Sequence, residues 1–217
     1  MRLMLLLAVL VVSAPATSIA QEWIEFASPD ERFTITFPGH PSVTETTWIS
    51  QFGTILPARV YTGPQGTSRY SVTVVDYTPD ERLLTERSRT LPALDLAIHD
   101  YGPGYWKTDV RSAVVYGASK YLDRDAKIVS IMSSLADLVS GLLVQLTNNS
   151  DQSRTYASIY MHENRLIMAE ATVPKGYPAP IIFQQSLGWL DENGRRIRYQ
   201  FPYHNDPDLT KPAGRLR

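Results

Sequence analysis

What most constrains the fold is a change of period along the chain. Phe33, Ile35 and Phe37 alternate with Thr34 and Thr36, the period of two that puts three large side chains on one face of a strand. Trp23-Ile24-Glu25-Phe26 precedes them across Ser28-Pro29-Asp30-Glu31, and Pro38-Gly39 ends the run, so residues 22–37 read as a hairpin. Residues 43–50, 55–62 and 69–77 are rich in β-branched or aromatic side chains and are separated by Gly- and Pro-containing turns, which predicts three more strands. At Thr78 the period lengthens. Thr78-Pro79-Asp80-Glu81 offers a capping hydroxyl, a proline at the first helical position and a glutamate three residues after the cap. Pro-Asp-Glu-Arg occurs at 29–32 and again at 79–82, but the flanking periods make one a turn and the other a helix start, not a repeat.

After Pro92, Leu94, Ile98 and Tyr101 continue a helical spacing that Gly102 stops, and Thr108 can cap a further helix to about Leu122. Val110, Val114, Gly117 and Tyr121 would lie along one side of it. Beyond Asp125 the strands return, at 127–135, 141–147, 154–161 and 165–173. Leu138, Leu142 and Leu146 leave 136–147 open to a helical reading as well. Residues 178–190 carry Ile182, Phe183, Leu187 and Leu190 on one helical stripe, ended by Asn193-Gly194. From Phe201 onward there are three prolines and few large apolar residues, so 201–217 read as a flexible tail. Strands, a helical block, strands and a closing helix describe a single α+β domain over residues 21–200, an antiparallel β-sheet covered by helices.

The first twenty residues read as an address. Arg2 precedes an unbroken apolar run from Leu3 to Val12, about half the ~20 residues that a membrane span needs. Ser18 and Ala20 stand at the −3 and −1 positions of a signal-peptidase site, which predicts a cleaved signal peptide over 1–20, with cleavage between Ala20 and Gln21. The chain has no cysteine, so disulfides, thiol nucleophiles, cysteine-held metals and a lipid-bearing cysteine are excluded. An exported domain without disulfides fits a bacterial periplasm, and no other stretch reaches membrane-spanning length.

Chemistry is sparse. Phosphate-loop, GxGxxG, GxSxG, SxxK and HExxH patterns are absent from the 217 residues, and no cofactor or metal is expected. His162-Glu163 falls in an expected turn without a second histidine at helical spacing, and His40 lies in the turn Pro38-Gly39-His40-Pro41. Asp95 and His99 are four apart on an expected helix and are the best candidates for a dispersed hydrolytic triad. Tyr101, Tyr105 and Trp106, in Tyr101-Gly102-Pro103-Gly104-Tyr105-Trp106, are the candidate ligand-binding residues. Rings on a Gly/Pro loop can stack on a sugar or a partner, or fold back onto the core. Arg195, Arg196 and Arg198 interleave with Tyr199, Phe201 and Tyr203, but a formal net charge of −1 gives no field for nucleic acid.

Phe26-x-Ser28-Pro29-Asp30-x-x-Phe33-x-Ile35-x-Phe37-Pro38-Gly39-x-Pro41 resembles the opening of many uncharacterised exported bacterial proteins. Arg165-Leu166-Ile167 followed by Phe183-Gln184-Gln185-Ser186-Leu187-Gly188-Trp189-Leu190-Asp191 resembles the way they close. Their organisation is similar to the PsbP/Mog1-like α/β/α sandwich. The resemblance covers about a third of the mature chain, rests on packing and turn residues, and implies a non-catalytic accessory or binding module without carrying over any site. An exported binding domain for an envelope protein or a glycan is therefore the reading of the sequence, with an exported hydrolase as the alternative.

Overall fold

The expected hairpin forms β1 (Trp23–Ser28) and β2 (Phe33–Pro38), antiparallel with Phe26 opposite Ile35. In this computed structural model residues 22–64, 66–90, 104–208 and 215–216 are described. The signal segment, with Ala20 and Gln21, lies outside them. The next three strands are β3 (Ser42–Ile49), β4 (Ile55–Thr62) and β5 (Arg69–Asp76). Helix α1 (Asp80–Thr90) follows, then α2 (Tyr105–Leu122). Four long strands come next: β6 (Ala126–Ala136), β7 (Val139–Asn148), β8 (Arg154–His162) and β9 (Arg165–Val173). The helical alternative for 136–147 fails because β7 pairs along its length with both β6 and β8.

The strands form two antiparallel sheets. The larger runs β3-β4-β5-β9-β8-β7-β6. The smaller starts with β1 and β2 and continues through β10 (Gly188–Leu190), β11 (Arg196–Tyr199) and β12 (Arg215–Leu216). The α+β, antiparallel character is as expected. The second sheet is new, because it is assembled from the two ends of the chain.

Two expectations are corrected here. The closing helix at 178–190 shrinks to one turn, α3 (Ile181–Gln185). Trp189 pairs with Phe33 in β2 instead of continuing a helix, and Ile182 of the supposed stripe points outward, 58% exposed. Ser186 makes the break: its hydroxyl donates to Phe183 O (3.0 Å) and accepts the Thr36 N–H (2.8 Å). The start of the supposed tail is also docked. Tyr203 N–H donates to Leu138 O (2.8 Å), Ser140 N–H donates to Tyr203 O (3.0 Å), and Asn205 bonds Asn164.

The larger sheet buries both faces. One packs on the small sheet and α3, where Phe33, Ile35, Phe37, Phe183 and Trp189 are fully enclosed. The other packs on α2, which lays Val110, Ala113, Gly117 and Tyr121 over β7, β8 and β9. Gly117 permits this approach, since a Cβ there would stand 3.3 Å from Met168 Sδ and 3.4 Å from Ile159 and Leu166.

Candidate functional site

Two of the three sequence-predicted binding residues lie among the described residues. Tyr105 and Trp106 belong to the first turn of α2 and are half-buried. The Tyr105 ring lies 5.8 Å from that of Phe52, and Trp106 packs against the helix-side core beneath Lys107 Nζ (5.7 Å). Tyr101 and the Asp95–His99 pair lie outside the described residues. His162 is not a turn residue. It ends β8 fully buried, stacked on Trp189 at 4.6 Å, with Nε2 in a 2.8 Å hydrogen bond to Tyr199 OH. The histidine thus belongs to an aromatic lock between the two sheets, and the Arg196–Tyr199 stretch is a strand of that lock.

The β3–β4 turn that carries Phe52, the β5–α1 junction and α2 each bring buried polar groups to the helix side of the molecule. The β3–β4 turn closes on itself through Ser50 N–H to Thr54 O (2.9 Å), Gly53 N–H to Ser50 O (3.0 Å) and Thr54 N–H to Ser50 Oγ (3.1 Å). Gly53 has φ +79°, and a Cβ there would meet the Arg87 guanidinium at 2.6 Å, so glycine alone suits the turn. Asp80 opens α1, Asp109 lies in the second turn of α2, and Tyr77 leads out of β5. The Ser50 hydroxyl donates to Asp109 Oδ2. Asp80 and Asp109 are both 0% exposed.

The electrostatics of these groups are unusual. Among the described residues, both Asp80 carboxylate oxygens, Asp109 Oδ1, the Thr54 and Tyr77 hydroxyls and the Trp48 indole Nε1 are buried without a hydrogen bond of ordinary geometry, although the Thr54 hydroxyl acts on Asp80 and the Trp48 indole on Tyr77. Burial pushes the Asp80 carboxyl up to about 7, with the Asp109 charge adding to it and the Thr54 hydroxyl opposing. Asp109 is raised as well, by burial, against the Ser50 hydroxyl and the backbone N–H groups of Phe52 and Gln51. Burial, then the charges of Asp109 and Asp80, keep the Tyr77 phenol protonated. Sequence reasoning read Asp80 as a dipole-favoured acid in the first turn of a helix and passed over Asp109. The missed signal was Asp109 at four- and eight-residue spacing from Ala113 and Gly117, a carboxylate on an apolar helical stripe.

A different surface opens at the far edge of the large sheet. β6 is an edge strand, and its outer backbone groups have no neighbouring strand among the described residues. Ile128, Val129, Ile131, Met132 and Leu135 are 46–53% exposed along it. Ile128, Ile131 and Leu135 stand opposite Leu146, Val144 and Ser140 and share the face on which α2 packs, whereas Met132, opposite Leu143, points to the other face. Between α2 and β7 the α2 side of this edge borders a groove of about 300 Å³, lined by Val110, Val114, Leu142 and Met161.

No family model and no curated protein matches this chain. Among solved structures it is similar to the solution structure of cyanobacterial PsbP from Synechocystis sp. PCC 6803, at 13% identity and a TM-score of 0.43. That likeness covers 82% of this chain and 98% of the other. The α+β assignment rests on the strands and helices themselves. Among the described residues no helix is long and apolar enough to cross a membrane.

Proposed function

We propose that this is an exported, non-catalytic accessory domain of the bacterial envelope that works by receiving an extended, apolar segment of another envelope protein along β6. The exposed apolar edge carries this reading. An unpaired ladder of backbone N–H and C=O groups is satisfied by an extended polypeptide, and natural sheets ordinarily blunt such edges with charge or proline. β6 has neither along residues 128–136, with Lys127 its single charge. The occupant's chemistry follows: apolar side chains on both faces of β6 call for a strand that is itself apolar, not a glycan, which β6 gives no aromatic ring to stack on.

Export is supported by the signal pattern of residues 1–20, and intact-mass measurement of protein from the envelope fraction is expected to show a chain beginning at Gln21. Retention of Met1 would overturn it. The docking edge is tested in cells with a photo-crosslinking side chain at Ser133. The expected result is an adduct with a different envelope polypeptide that is lost in Ile131→Lys, with none from the control position Thr46 on β3. An adduct only with a second copy of this chain, or equal labelling from Thr46, overturns the reading.

A further inference from the structure

We propose that Met132 is an oxidation site on the β6 edge, and that converting its thioether to the sulfoxide switches off the docking of the extended partner. The inference rests on the reading of β6 as a docking edge and adds how that edge is regulated. Its first support is selectivity. The chain has five methionines and no cysteine, so no thiol competes for a peroxide and the thioethers are the side chains it attacks. Met1 and Met4 belong to the expected signal peptide. Of the three among the described residues, Met161 is 4% and Met168 5% exposed, enclosed in the core that α2 covers, whereas Met132 is 53% exposed. An oxidant arriving from solvent therefore meets one sulfur.

The second support is position. Side chains along β6 alternate between faces, and Ser130, Met132 and Ser134 stand opposite Gln145, Leu143 and Gly141 on one of them. Met132 is therefore the one large apolar side chain on this face between the bulge after Ile128 and Ala136. Ser134 already accepts the Tyr160 hydroxyl at 3.2 Å. An apolar strand laid along the edge buries the Met132 thioether against its own side chains. In the oxidation a sulfur lone pair attacks the peroxide, the O–O bond breaks, and one oxygen stays on the sulfur. The other takes the remaining proton and leaves as water, so the sulfur is oxidised and the peroxide reduced by two electrons. The product is polar and chiral. This face of the strand then reads serine, sulfoxide, serine, and an apolar partner buries the sulfoxide oxygen without a hydrogen bond. Reduction by a dithiol, through one sulfoxide reductase for each epimer, releases that oxygen as water and restores the thioether.

The mature wild-type protein is treated with hydrogen peroxide and mapped by peptide mass spectrometry. Met132 is expected to gain one oxygen at least about tenfold faster than Met161 and Met168, and all three at similar rates in urea, where burial no longer separates them. Docking is read with the photo-crosslinking side chain at Ser133. The purified protein is oxidised, freed of peroxide and only then irradiated in envelope extract, so the partner never meets the oxidant. Oxidation is expected to lower the adduct yield at least about fivefold, the low end of what burying an unpaired polar group costs, and both sulfoxide reductases with dithiothreitol to restore it. In Met132→Leu, whatever its starting yield, the same treatment should change the adduct by less than about twofold. Oxidation of Met161 or Met168 as fast as Met132 overturns the site. An adduct that survives full oxidation of Met132, or that falls equally in Met132→Leu, overturns the switch. Absence of an adduct from the untreated wild type is a different failure: it removes the docking reading, and the switch with it, while the mass map still decides which methionine is oxidised.

Discussion

The two faces of the seven-stranded sheet are closed in opposite ways. On the face covered by the small sheet, three buried polar groups are tied into the packing: Trp189 Nε1–H donates to Ala136 O at 2.7 Å, Ser28 and Tyr61 share a 3.1 Å hydrogen bond, and His162 meets Tyr199. Its rings interlock edge to face, as between Phe37 and Phe183 or Phe33 and Tyr61. On the face covered by α2, two carboxylates, Asp80 and Asp109, are fully buried, and the apolar surface runs out into solvent at β6. A satisfied aromatic face holds the fold together. Unsatisfied oxygens and an unpaired edge are features that a sequence selected for stability alone would lose. The contrast separates a face closed by interlocking rings from one that ends in an exposed apolar edge.

The strongest way to break that contrast is to empty the first face. Trp189→Ala should cost ~3–5 kcal/mol by urea denaturation, since it removes a fully buried ring and orphans the Ala136 carbonyl. A midpoint within error of the wild type would show that this face does not carry the fold.

The acid pair supplies the next largest effect. Folded Asp80 keeps its proton up to about pH 7, whereas an unfolded aspartate releases it near 3.8. The folded state therefore binds more protons between those values, and stability should fall as pH rises from about 4 to about 7, on the order of 1.4 kcal/mol per unit. Asp80→Asn should flatten that slope. An unchanged slope in the variant would place the titration elsewhere.

Trp106 sharpens the boundary between the faces. Being half-buried against the helix-side core, Trp106→Ala should cost about 1–2 kcal/mol, roughly half of what a fully buried large side chain contributes. A loss below 0.5 kcal/mol, the size usual for surface positions, would decide between the two readings of its sequence context in favour of the exposed ring. The smallest stability effect belongs to the edge: Ile131→Lys should change unfolding free energy by no more than about 0.5 kcal/mol while abolishing the β6 crosslink. A large loss would make β6 a structural strand and remove it as a docking site.

Local periodicity determined most of the strands. Phe33, Ile35 and Phe37 are buried because a period of two admits one sheet face for all three, and the strands at 154–161 and 165–173 were legible from their length and the turns that bound them. The helix beginning near Thr78 was legible from its proline and acids, although the helix itself starts at Asp80. Local signals failed where a distant segment competed. Trp189 left its helical stripe because β2 offered it a backbone ladder, and Tyr203 was drawn out of a proline-rich tail by Leu138 and Ser140. The candidate sites belong to the same class. Asp80 lies 29 positions from Asp109, and no spacing rule relates the β3–β4 turn to either. That β6 is an edge and β8 a centre is likewise invisible in their compositions, because strand order follows from which long-range pairs form. By itself the sequence determined the elements, through side-chain period and turn chemistry acting over a few residues. The second sheet, the enclosed carboxylates and the open edge were decided by tertiary structure, where burial depends on neighbours that the chain brings back from far away.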